Sequence, residues 1–417
     1  MNTDDADVAR RRAIASYGVD AARAAKLLEL MRRADVTQWP PPPPTVEQRR
    51  ARWDAHVARY GLGPDRWDTP WGQVTPYTRS EFHPDPARRM TFYLGVGHPH
   101  HLRTSPVPLF ISATTLVRYV DRYEQQGDDF PVQTFGLPWA GDSGAYAALM
   151  LNTRGRREHP WWMWPDAYGS MWVRLADAVG HSSRELAPDF VGIQDWPCEP
   201  QVRQRTGKTT REHQELTLES YLYLADEFPM VNWLPTLQGW WPWEYVEHIE
   251  MYRQAGVDLA GMRVGIGSVC RRGSQRAVAQ VLGTLAELGL GMRMHGFGIS
   301  INALRVAGHL LDSADSQAWS KTARDEHLML PGCHHLSRPD PVTAQRRPTD
   351  CRNCFRYAVH WRERALDAVR ASSHDPVDDH EHDLLGPVPA PRRRPASPTR
   401  RRHRIAVNRD QLTLFQP

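Results

Sequence analysis

No stretch of the 417-residue chain stays apolar for the roughly 18 residues that a membrane helix needs, so no spanning helix is expected. The opening Met1-Asn2-Thr3-Asp4-Asp5 lacks the basic start and apolar centre of a signal peptide, and a cytoplasmic location follows as the expectation. Cysteine is scarce. Cys198, Cys270, Cys333, Cys351 and Cys354 are too few and too unevenly spaced for a disulfide framework. The chain also lacks a G-x-G-x-x-G after its first strand and a Walker loop, so the two common cradles for nucleotide phosphates are excluded. Charge of one sign is not in large excess either: 52 Lys and Arg face 48 Asp and Glu, a net of +4. Its placement is uneven. Gly386 to Pro417 holds eight arginines against Asp410 alone, so the remaining chain is slightly acidic, and attraction to a polyanion belongs to the tail and to local patches.

Hydrophobic residues make up 41% of the chain, enough for a large core. Residues 1–39 carry alanine, leucine and arginine at helical spacing and read as an N-terminal helical segment. The five prolines Pro40 to Pro44 open a proline-rich linker and irregular region over 40–89. From about Met90 short apolar runs alternate with longer amphipathic ones. Strands are expected at 91–96, 108–112, 133–140, 189–194, 231–237, 261–266, 291–296 and 313–317, with helices including 213–227, 243–255, 274–288 and 301–311. Eight strands with helices between them predict an α/β fold, a (β/α)8 TIM barrel over 90–370 whose strand ends collect functional groups on one face. A doubly wound open sheet is the rival. Residues 371–417 read as a disordered Arg/Pro-rich tail.

Acids recur at the expected strand ends. Asp142 sits in the turn Gly141-Asp142-Ser143-Gly144-Ala145-Tyr146, Asp195 follows Phe190-Val191-Gly192-Ile193-Gln194, and Asp315 lies in Asp312-Ser313-Ala314-Asp315. Gln238 and Gly239 close another strand, and Gly265, Gly267, Gly296 and Gly298 line further ends. Any one of these fits an ordinary βα turn. As a set, carboxylates and an amide between glycine walls suit a planar heterocycle with donor and acceptor edges, with one carboxylate free to attack carbon.

In this set the chain resembles the tRNA-guanine transglycosylase superfamily, and within it the DNA-directed branch that inserts 7-deazaguanines into DNA, a DpdA-like reading. Asp142-Ser143-Gly144-Ala145-Tyr146 stands where that superfamily has Asp-Ser-Gly-Gly-Phe. Asp195, Gln238-Gly239 and, more loosely, Gly265-Ile266-Gly267-Ser268 match its later strand ends in order. The resemblance makes Asp315 the nucleophile that forms a covalent glycosyl-enzyme, and Asp142 the base-holding proton shuttle. Ser143, Gly144, Asp195, Gln238, Gly239, Gly265 and Gly267 become substrate-binding. It implies a pentosyltransferase that exchanges guanine in DNA for a 7-deazaguanine such as 7-cyano-7-deazaguanine, with accessory modification proteins as partners. Ala318-Trp319-Ser320-Lys321 departs from the superfamily's Leu-Pro-Thr-Arg, which weakens tRNA as the polymer more than it weakens the chemistry. The alternatives are the same exchange on tRNA and a catalytically silent, zinc-containing barrel that only binds nucleic acid.

Two further signals lie towards the C-terminus. Cys333-His334-His335 and Cys351-Arg352-Asn353-Cys354, fifteen residues apart, can give Cys333, His335, Cys351 and Cys354 to a structural Zn2+, with His360 as an alternative fourth ligand. Gln411-Leu412-Thr413-Leu414-Phe415 resembles peptides that dock on the bacterial DNA sliding clamp, behind arginines able to graze phosphate.

Overall fold

The computed structural model describes residues 45–78, 80–126, 136–151, 161, 163–178, 187–270, 272, 274–340 and 343–372. The expected N-terminal helical segment 1–39 and, beyond Ser372, the tail with its clamp-like peptide lie outside these residues.

The described chain starts with α1 (Val46–Tyr60), set by a capping box in which the Thr45 hydroxyl accepts from the Gln48 N–H and the Gln48 side chain accepts from the Thr45 N–H. An antiparallel hairpin, β1 (Trp67–Thr69) and β2 (Gly72–Val74), follows. The described part of 40–89 thus holds regular elements where the sequence reading expects linker and irregular chain. Its anchor is remote in sequence. The Glu363 carboxylate accepts from Thr75, through both N–H and hydroxyl, and from Arg66, while Arg370 pairs with Asp85 at 2.9 Å.

Nine strands make one parallel sheet: β3 (Thr91–Val96), β4 (Leu109–Ser112), β5 (Trp139–Asp142), β6 (Val191–Gly192), β7 (Trp233–Leu234), β8 (Thr236–Leu237), β9 (Arg263–Ile266), β10 (Arg293–Gly296) and β11 (Ser313–Ser316). Their order is β7-β6-β5-β4-β3-β11-β10-β9-β8, and every neighbouring pair is parallel. The first and last of that order are consecutive in the chain, separated only by Pro235. Proline has no N–H to give the ladder, so one stave is split into two short strands. β7 pairs with β6 and β8 with β9, so the ring is carried round by the chain itself and the nine strands amount to the eight staves of a (β/α)8 barrel.

Helices return the chain between staves: α2 (Ala113–Gln126), α3 (Ala145–Leu151), α4 (Pro165–Ala178), α5 (Pro200–Thr206), α6 (Thr210–Glu227), α7 (Pro242–Gln254), α8 (Gln275–Glu287) and α9 (Ile301–Ala307). After β11 come α10 (Ala318–Asp325), a small hairpin of β12 (His335–Leu336) and β13 (Pro348–Thr349), and α11 (Phe355–Arg370). Among the described residues no helix is long and apolar enough to cross a membrane.

Two apolar layers hold the barrel. Tyr93, Phe110, Ala140, Phe190 and Leu234, with Phe297 against them, fill the inside, and a larger cluster joins the outer strand faces to the helices. At the strands' N-terminal ends polar groups close the ring: Arg263 pairs with Asp312 at 3.3 Å and lies over the Phe190 ring, and the Tyr93 hydroxyl donates to Asp189 at 2.8 Å. With that end plugged, ligand access is left to the C-terminal ends of the strands.

Candidate active site

Asp142 is the last residue of β5, in register with Ser112 of β4. The Ser112 hydroxyl and the N–H groups of Ser143 and Gly144 donate to its carboxylate. This cradle needs glycine at position 144, where φ is +76° and a Cβ would fall 2.8 Å from the Thr114 methyl. The following Ser143 is buried and donates to Asp195 Oδ1 at 3.1 Å. The Gln238 side-chain amide donates to the other oxygen of Asp195, and Gln238 Oε1 accepts from the Ser268 hydroxyl at 2.7 Å.

Asp142, Ser143, Asp195, Gln238 and Ser268 thus form one continuous network across four staves. Gln238 is clamped at its backbone too, its N–H donating to His248 Nδ1 at 2.9 Å and its carbonyl accepting from Gln214 at 2.8 Å. Gly267 is the space for its side chain: a Cβ there would lie 2.1 Å from Gln238 Nε2. We expect Gly267→Ala to push the amide off Asp195 and lower turnover about 100-fold, the scale of an ångström-level misplacement. The melting temperature should barely move. Full activity in the variant, measured with the substrate pair proposed below, would mean that this amide is not used. Gly265 sits within β9 with the Phe297 ring packed on its Cα, and Gly239 opens the loop after Gln238.

Asp315, in β11, faces this network. Its Oδ1 accepts from the Gly298 N–H at 2.9 Å and lies 3.4 Å from His295 Nε2. His295 is fully buried on β10 among Tyr93, Phe110, Phe190 and Phe297, and its Nδ1 is 3.0 Å from the Ser313 hydroxyl. Burial holds the imidazole pKa below its usual value despite the pull of Asp315, so a neutral ring stands beside the carboxylate. The sequence reading missed His295. Its signal was present, a histidine in a buried strand directly before Gly296-Phe297-Gly298, but histidine is frequent in this chain. Glu199 and Ser268 were missed as well. Both are buried and joined at 3.0 Å, and Ser268 takes a φ of +55°, which aims its hydroxyl at both Glu199 and Gln238.

Two of the carboxylates are shifted by burial and by a neighbouring acid. Burial, then the charge of Asp315, pushes Asp142 up to about 6; burial, then the charge of Asp142, pushes Asp195 up to about 7. Acids with raised folded pKa values bind protons that the unfolded chain has lost, so their contribution favours the fold at low pH and is lost as pH rises towards 7. Asp195→Asn removes that loss while keeping the shape. Its melting temperature relative to wild type should therefore rise steadily from pH 5 to pH 8; a gap constant with pH would refute the shift.

A separate cluster lies behind the last stave. The ligand atoms of Cys333, His335, Cys351 and Cys354 all lie within 4.8 Å of one another. Cys333 Sγ and Cys354 Sγ are 3.9 Å apart, close to the roughly 3.8 Å edge of a tetrahedron built on Zn–S bonds of about 2.3 Å. The Leu330 N–H donates to Cys351 Sγ, and His335 Nε2 is buried with no hydrogen-bond partner, an acceptor left for an ion. The residues fit a metal ion. His360 is exposed on α11 and stands outside this group, so His335 is the fourth member.

The molecule is therefore a parallel α/β barrel whose strand ends gather three carboxylates, an amide and glycine walls, with a cysteine-histidine cluster, a knuckle able to hold a metal ion, at its C-terminal side. The family model DpdA, DeoxyPurine in DNA protein A, matches residues 88–381, the whole barrel and the knuckle, and the chain belongs to that family. Among curated proteins no significant match to the chain is found.

Proposed function

We propose that the protein is a DNA-guanine transglycosylase, exchanging guanine in DNA for a 7-deazaguanine, with 7-cyano-7-deazaguanine as the incoming base and Asp315 as the nucleophile. The observation that carries this reading is the placement of Asp315. One oxygen is held by the Gly298 N–H and faced by buried His295, and the group stands within electrostatic reach of Asp142.

A guanine flipped out of the duplex enters at the strand ends, a step that costs a few kcal/mol of stacking and pairing. An Asp315 oxygen bonds to C1′ as the C1′–N9 bond breaks, and the electron pair leaves with guanine, which takes up a proton. With its raised pKa, Asp142 can hold that proton near neutral pH. The incoming base then loses its N9 proton to Asp142, its nitrogen bonds to C1′, and the C1′–Asp315 ester bond breaks. Two inversions at one carbon leave the configuration unchanged and the strand uncut, as in retaining glycosidases. Asp195 and Gln238, now bonded to each other, would exchange that bond for the amidine and carbonyl edge of the base, framed by Ser143, Gly144, Gly239 and Gly267. Gly265 acts behind them by seating Phe297.

DNA rather than tRNA fits the segment after the nucleophile. Trp319 is buried and its Nε1 donates to the Gly95 carbonyl at 2.8 Å, so this stretch anchors the barrel. Zn2+ is the proposed ion of the knuckle, in a structural role, because four cysteine and histidine ligands complete its tetrahedron. The test is to offer the protein duplex DNA or tRNA carrying labelled guanine, together with 7-cyano-7-deazaguanine. Label should leave DNA only. Release from tRNA alone would overturn the choice of polymer, and release from neither would overturn the enzyme.

A further inference from the structure

The loop after Gln238-Gly239 carries Trp240, Trp241 and Trp243, and two of these rings stand in solvent: Trp241 is 43% exposed and Trp243 40%. Leaving indole in water is unfavourable, so loose chain would fold such rings away. This loop is not loose. One oxygen of buried Glu244 accepts from the N–H groups of both Trp240 and Trp241, and Pro242 sets the first turn of α7. The Arg272 guanidinium lies 4.5 Å from the centroid of the Trp240 ring and is itself fixed, its Nε donating to the Ser268 carbonyl at 2.9 Å and its NH2 to the Tyr245 hydroxyl at 3.2 Å. The rack that presents the indoles is thus built from the same two loops that hold Gln238 and Ser268. Rigid aromatic faces interleaved with arginine, at the rim of a pocket for a base, suit unpaired nucleobases, because every base offers a π-face.

We propose that Trp241 and Trp243 form a stacking platform for the DNA bases next to the flipped guanine, holding open the duplex from which it came. This rests on the function proposed above and adds its polymer-opening step. Extrusion unpairs one cytosine and unstacks both neighbours, and stacking on an aromatic side chain recovers part of that loss. The benefit is therefore larger on a duplex, where pairing must be broken, than on a single strand.

The test compares guanine release from a duplex and from the matching single strand by wild type, by the double variant Trp241→Ala, Trp243→Ala, and by Trp241→Phe. The double variant should lose at least about tenfold more kcat/KM on the duplex than on the single strand, and Trp241→Phe should keep most of the duplex activity. In parallel, duplexes with 2-aminopurine opposite or beside the target guanine should be quenched by wild type and not by the double variant, at unchanged melting temperature. Equal losses on both substrates, or quenching that survives the double substitution, would overturn the platform. So would a change of oligomeric state as the variant's sole effect, since the rings would then cover a second copy of the chain. Quenching does not depend on turnover, so a wild type that binds and quenches without releasing guanine would refute the exchange reading and leave the platform standing.

Discussion

Asp315→Asn is expected to abolish base exchange, lowering guanine release by a factor on the order of 10^4 or more, while the protein still folds and binds DNA. Asparagine keeps the shape of the side chain, and its carbonyl oxygen can still accept from the Gly298 N–H, so the loop 296–300 has no reason to move. What it loses is the carboxylate oxygen proposed to bond to C1′. Wild type given duplex DNA without an incoming base should accumulate a protein–DNA adduct that survives denaturation, and the variant should form none. Asp142→Asn is the informative comparison. A proton carrier contributes typically 10^2 to 10^4, and the adduct-forming oxygen is still in place, so this variant should be slow yet still trap DNA. An adduct mapping to Asp142, or persisting in Asp315→Asn, would reverse the two roles. Salt should tell the variants from a binding defect, because phosphate contacts made elsewhere on the surface give all three proteins the same ionic-strength dependence.

That these two aspartates could be singled out from sequence reflects what a parallel barrel imposes. Its strands are buried on both faces, so each reads as a short apolar run, and the run ends where glycine and aspartate begin the turn. Thr91–Val96 matches its expected span, six other expected strands enclose an observed one, and 133–140 meets its strand only at Trp139 and Ala140, the strand running on to Asp142. Differences fall where side chains rather than propensity decide. The segment 189–194 keeps only Val191–Gly192 as strand because the Asp195 N–H turns back to the Ile193 carbonyl, and 231–237 splits at Pro235. His295 and Glu199 stayed hidden because their partners, Asp315 and Ser268, are distant in the chain and meet only through strand register. Thr45 and Gln48 spelled a capping box in plain view, but the proline run before them drew the region towards linker. Spacing left the fourth metal ligand open between His335 and His360. Pairing favours His335: β12 sets it opposite Thr349, two residues before Cys351, while α11 carries His360 out to solvent.

Removal of the metal proposed for the knuckle should have the largest effect on stability. The knuckle joins the chain leaving α10 to the first turn of α11, for which Cys354 is the N-terminal cap residue. Along α11, Phe355, Tyr357, Trp361, Leu366 and Val369 are buried, and Glu363 and Arg370 hold the N-terminal hairpin and Asp85. Loss of the ion would leave three cysteines and an unpartnered histidine nitrogen crowded together, and relief of that crowding pulls on the helix that ties both ends of the described chain. Structural zinc is worth about 10–16 kcal/mol in isolated fingers; an established barrel core should retain more than half of its stability without it. A loss of about 5 kcal/mol, at roughly 2 °C per kcal/mol for a large domain, predicts a fall in melting temperature on the order of 10 °C. Cys351→Ser should show this fall, with less than one zinc per chain by elemental analysis and early proteolysis between residues 326 and 354. His360→Ala should change neither zinc content nor melting temperature. Guanine release per folded molecule should survive in Cys351→Ser at low temperature, because no residue of the knuckle belongs to the Asp142, Asp195 and Asp315 network; loss of turnover in protein that remains folded would instead place the metal in the chemistry.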